Sequence, residues 1–192
     1  QMLKVAVERQ LPYWEVMREP QKILVVDDDA MILRFVGITL KRQGYAVHQA
    51  SSGDEALQYF TDHGRGVAMV LTDVIMPGKS GYEFCRELKD NPATRLIPVV
   101  LITGLSERED RVRGIEAGAD DFLSKPIFPE ELFARVKSLI KLKEFTDELE
   151  TAESVLCTLG LSVESRDPYT EGHCERLAEN AQRISDEGRR LH

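Results

Sequence analysis

Three acids stand side by side at Asp27, Asp28 and Asp29, and a fourth, Asp73, closes the apolar run of residues 67–72. Thr103 closes another apolar run, and Lys125 follows a third. Carboxylates a few ångströms apart repel and do not all ionise without compensation, for which a divalent cation is the natural remedy. A few hard oxygen donors, leaving room for water and a phosphate oxygen, suit Mg2+ better than zinc. With a cation in place, Asp73 can attack a phosphoryl donor and become an aspartyl phosphate. Lys125 would reach the transferred group as a point cation, and Thr103 would offer it a hydroxyl. The new charge and its acceptor oxygens would then favour one of two loop arrangements, which is the basis of a switch. Each residue alone has a plainer role, since Asp caps loops and helices and Thr ends strands. The chemistry requires that they meet on one rim.

A parallel sheet would bring them there. Residues 22–26 form a continuous apolar strand running into the acids, and Ile32, Leu33, Val36 and Leu40 then recur at helical spacing over residues 30–42, with Gly44 as the stop. A short strand at residues 45–48 precedes a helix at 52–63, where Ser52 and Glu55 have capping-box spacing. The strand ending in Asp73 turns at Met76, Pro77 and Gly78 into a helix at 80–90. A fourth strand at 97–103, a helix at 106–117, a fifth strand at 121–123 and a helix from Pro129 complete the series. Five alternations specify an α/β fold with a doubly wound, five-stranded parallel sheet and right-handed crossovers. The ends at 27–28, 73, 103 and 125 then emerge on one rim.

The blocks ILVVDDD, LTDVIMPGKSGYE, VVLITG and GADDFLSKP resemble the four signature blocks of the response-regulator receiver domain of two-component signalling, over residues 22–143. The resemblance implies a flavodoxin-like sheet of order 2-1-3-4-5 and Asp73 as phospho-acceptor. It implies Asp27 and Asp28 as the acidic pair for Mg2+, with the Ile75 backbone carbonyl as a further ligand. Thr103 matches the switch hydroxyl, Lys125 the invariant lysine and Phe122 the aromatic switch position. The implied partner is a sensor histidine kinase or a phosphotransfer protein.

The last helix does not stop where such a domain would. No Pro occurs from residue 132 to 161, and Leu142, Phe145, Leu149, Ala152, Leu156 and Leu159 alternate spacings of three and four, the a/d seam of a coiled coil. A linker over residues 144–160 and a parallel homodimer through the helix of residues 132–160 are expected. Beyond it, SRDPYTEGHCERLA resembles the opening of the HD-GYP phosphohydrolase domain, a family that hydrolyses cyclic di-GMP with bound metals. His173 matches its first histidine, which the resemblance implies as a remnant metal ligand of the output domain. No His-Asp pair and no Gly-Tyr-Pro block follow up to His192, so residues 161–192 read as a truncated output domain. The expectation is no enzymatic activity and no output-domain metals for this chain, with a phosphodiesterase in a longer parent.

Bulk properties agree with a regulatory module. The net charge of −8 argues against a nucleic-acid surface, and Arg183, Arg189 and Arg190 are too few and too mixed with acids for a recognition helix. This disfavours a DNA-binding output, while a lone receiver acting by docking would have no need of the long helix. The three cysteines lack CxxC spacing, which points to a reducing compartment. No apolar run approaches membrane-spanning length, and a cytoplasmic location is expected. Residues 1–21 read as an extension ending at a proline.

Overall fold

The structure, a computed structural model, describes residues 20–63, 66–104 and 108–164. Almost all of the expected N-terminal extension, and the HD-GYP-like segment from residue 165 onward with His173, lie outside the described residues. The chain divides into two units, residues 1–143 and 144–192.

The first unit holds a five-stranded sheet in the order β2-β1-β3-β4-β5, every neighbouring pair parallel. The strands are β1 (Lys22–Val26), β2 (Ala46–Ala50), β3 (Val67–Asp73), β4 (Val99–Thr103) and β5 (Asp121–Ser124). The helices are α1 (Ala30–Lys41), α2 (Gly53–His63), α3 (Gly81–Asp90), α4 (Arg108–Glu116) and α5 (Pro129–Glu164). Successive strand residues point to opposite faces, so each strand feeds two cores. Ile23, Val25, Met69, Leu71, Val100 and Ile102 pack with Val36 and Leu40 of α1 and with Leu132, Val136 and Ile140 of α5. Leu24, Val26, Val70, Val99 and Leu101 pack on the other side with Ala56 of α2 and with Phe84, Cys85 and Leu88 of α3. Each fully buried aliphatic side chain contributes about 1.5–3 kcal/mol, which makes the sheet with its two helix layers the rigid base of the rim.

Among the boundaries that differ from those expected, three have local reasons. The fourth strand starts at Val99 because Ile97 N–H donates to Thr94 and Pro98 has no N–H to give. The second strand lies later than 45–48 because Tyr45 N–H turns back to Leu40 of α1, while Ala50 pairs with Val26. At the start of α2, Ser52 Oγ accepts from Glu55 N–H at 3.2 Å, but Glu55 returns to the Ser51 N–H and hydroxyl at 2.6 Å instead of to Ser52.

The second unit is described over residues 144–164, the continuation of α5. Phe145, Leu149, Val155, Leu156 and Leu159 are all more than half exposed along it. No helix among the described residues is long and apolar enough to cross a membrane.

Candidate phosphoryl-accepting site

The strand ends deliver four charged side chains to one place. Asp27 follows β1 directly and is fully buried, its N–H donating to the Ala50 carbonyl of β2. Asp73 is the last residue of β3 and only 6% exposed, and its Oδ1 accepts from Val74 N–H at 2.9 Å. Asp28 lies beside Asp27 and faces solvent. Ligand oxygens of Asp27, Asp28 and Asp73 all lie within 4.8 Å of one another. Lys125, just past β5, bridges two of them, at 3.2 Å from Asp27 Oδ2 and 3.1 Å from Asp73 Oδ1.

Asp29, which its two neighbours make indistinguishable in sequence, does something else. Its side chain accepts from Met31 N–H at 2.7 Å and caps α1, while its own N–H donates to Asp27 Oδ1 at 2.8 Å. One acid of the three thereby orients another.

Three carboxylates against one ammonium leave an excess of negative charge in a largely buried spot. Burial pushes the Asp73 carboxyl above its ordinary value, and the Asp27 charge adds to this, both against the pull of Lys125. Burial pulls Lys125 down, but Asp73 and Asp27 and their hydrogen bonds outweigh it, so its net direction is up. The asymmetry follows depth, since the carboxylate is the more buried partner. An all-oxygen donor set with uncompensated charge fits a hard divalent cation.

The remaining predicted residues lie around this cluster. Thr103 ends β4 and is buried, and its carbonyl accepts from Lys125 N–H at 2.8 Å, which ties the ends of β4 and β5 together. Phe122 pairs with Leu101 across the sheet and is half-buried, its ring against α4. A Cβ on Gly114 would lie 2.4 Å from Phe122 Cε1, so the ring occupies a slot that exists because residue 114 is glycine. Ile75, in the loop after Asp73, exposes its side chain.

Two supports of that loop went unread in the sequence. Ser80 and Glu83 form a full capping box at the start of α3, and their S-x-x-E spacing was the available signal. Lys79 lies 3.6 Å from Asp54 and 2.6 Å from Glu87, a contact between separate elements that no local pattern encodes.

The sequence profile of the family described as "Response regulator receiver domain" matches residues 23–137. Response regulator PleD of Caulobacter vibrioides is 47% identical over 133 residues, 69% of this chain and 29% of PleD. The phosphate regulon transcriptional regulatory protein PhoB of Escherichia coli is 40% identical over 121 residues, 63% of this chain and 52% of PhoB. The chain thus spans less than a third of the one relative and about half of the other. A crystal structure of a response regulator receiver domain protein from Clostridium thermocellum superposes with a TM-score of 0.61 at 32% identity, covering 65% of this chain and 98% of that one.

Proposed function

The chain belongs to the response regulator receiver family, and from that premise we propose that Asp73 accepts a phosphoryl group and thereby switches the loops around it. The observation that supports this most is the cluster itself: three carboxylates within 4.8 Å, with Lys125 joined to both Asp27 and Asp73. In the reaction a carboxylate oxygen of Asp73 attacks phosphorus, the bond from phosphorus to the donor breaks, and a mixed acyl phosphate forms. The donor is a phosphohistidine of a sensor kinase or phosphotransfer protein, or a small acyl phosphate.

Asp27, Asp28 and Asp73, with the Ile75 carbonyl, would hold Mg2+, which supplies positive charge to the transferring phosphoryl oxygens. Lys125 supplies a second, fixed positive charge beside the attacked group. Thr103 donates its hydroxyl to a phosphoryl oxygen once the product is present, and Phe122 follows in its slot beside Gly114. The consequence is a change of surface on the side of β4, α4 and β5.

Exposed apolar residues along α5 support a parallel homodimer, with residues 144–160 as a coiled-coil linker. The output is proposed from the block SRDPYTEGHCERLA around His173 as an HD-GYP-type phosphodiesterase module. PhoB is named a transcriptional regulatory protein, so a DNA-binding output is the second reading, disfavoured by the acidic balance of this chain. The domain bounds proposed are 22–143 for the receiver and 161–192 for the start of the output.

The test is incubation with acetyl phosphate and Mg2+, comparing wild type with Asp73→Asn by intact mass. Wild type should gain one phosphoryl group and the variant none. Equal gain by both would sink the assignment.

A further inference from the structure

The first turn of α3 approaches the Asp73 peptide more closely than any residue with a side chain allows. A Cβ built on Gly81 would lie 2.1 Å from the Asp73 carbonyl oxygen, 2.9 Å from its carbonyl carbon and 3.0 Å from Val74 Cα. Gly81 is not among the glycines of positive φ, so the requirement is for space and not for an unusual backbone conformation.

The peptide it presses on is the one that fixes the carboxylate. Val74 N–H lies 2.9 Å from Asp73 Oδ1 and 3.1 Å from the Ile102 carbonyl of β4, while the Val74 carbonyl accepts from Gly81 N–H at 3.0 Å. The link between Asp73 and Val74 is therefore clamped, with β4 on one side and α3 on the other. The loop between Val74 and Gly81 has little slack to absorb a displacement, because Lys79 is tied to Asp54 and Glu87 and Ser80 is held in the capping box.

The geometry points to Gly81 as a positioning residue for Asp73: the missing side chain sets where the carboxylate stands against Lys125 and the other acids. This rests on the phospho-acceptor reading above. Reaching even a tight Cβ contact would open the clamp by about 1 Å, and a misplacement of that size costs on the order of a hundredfold in rate.

The experiment uses the full chain and follows phosphoryl uptake from acetyl phosphate with Mg2+ in wild type, Gly81→Ala, Ser80→Ala and Asp73→Asn, across donor concentrations, with circular dichroism on each. Gly81→Ala should lose about a hundredfold in the rate at saturating donor, with the half-saturating concentration little changed. Ser80→Ala loosens the start of α3 without adding a Cβ at 81, so it should lose stability and keep its saturating rate. Trimethylamine oxide, which strengthens folding, should restore any helical signal that Gly81→Ala has lost but not its rate. A wild-type rate in Gly81→Ala overturns the proposal. So does an equal loss in Ser80→Ala, or a rate that returns with the helical signal. No uptake by wild type, or uptake by Asp73→Asn equal to wild type, rejects the phospho-acceptor reading and this proposal with it.

Discussion

Lys125 Nζ lies 3.1 Å from Asp73 Oδ1, and the contact holds the ends of β3 and β5 together across the site. The same ammonium touches Asp27, so it does by itself part of what a bound cation would do. Lys125→Met removes that competitor. The variant should bind Mg2+ roughly tenfold more tightly by titration calorimetry and melt at a lower temperature than wild type when Mg2+ is withheld. Unchanged affinity would mean that the lysine and the cation do not share the same charge.

The ring of Phe122 fills the slot beside Gly114, with Leu101 Cδ1 at 2.9 Å from the same imagined Cβ. Gly114→Ala should therefore force the ring out of its seat at a cost of about 1–3 kcal/mol in urea unfolding. Phe122→Leu in the Gly114→Ala background should recover part of that loss, because the shorter side chain clears the added methyl. A double variant no more stable than Gly114→Ala would place the strain elsewhere.

Cys85 is fully buried, donates its thiol to the Ala117 carbonyl at 3.3 Å, and is pushed by burial from an ordinary 9.0 up to about 11. Cys157 is exposed. Iodoacetamide at neutral pH should modify Cys157 and spare Cys85 in the folded chain, with both modified after unfolding, as read by peptide mass mapping. The raised value means that the unfolded chain releases this proton first. The Cys85 contribution to stability is therefore complete below pH 9 and is lost as pH rises from there through about 11. Rapid labelling of native Cys85 at neutral pH would contradict its placement.

Leu149 and Leu156 occupy the same heptad position of the exposed seam and are 71% and 69% exposed. If the seam is a dimer interface, light scattering should give twice the chain mass at high protein concentration, and Leu149→Asp with Leu156→Asp should give the monomer. A wild-type monomer at high concentration refutes the dimer.

Much of this architecture is legible in the residues alone. The apolar runs of β1, β3 and β4 are buried on both faces, so they stand out without any need for alternation, and their ends carry Asp27, Asp73 and Thr103. The parallel crossovers do the rest, bringing Lys125 to Asp73. What stayed hidden depends on three-dimensional proximity or on a competition between equivalent neighbours. Asp29 differs from Asp27 and Asp28 only in where α1 begins. Gly81 looks like an ordinary first residue of a helix until the Asp73 carbonyl is placed beside it. The start of β4 turned on Pro98, whose missing N–H was in plain view but is informative only once Val70 is seen to use its carbonyl.

The proposed switch depends on which carboxylate carries the phosphoryl group. Acyl phosphates are reduced by borohydride to the alcohol, so the aspartate that carried phosphate becomes homoserine. The chain should be phosphorylated with acetyl phosphate and Mg2+, reduced, digested and sequenced by mass spectrometry. Homoserine at position 73 and nowhere else is the predicted result. Homoserine at Asp27, Asp28 or another acid, or phosphate that survives the reduction on a hydroxyl, would contradict it.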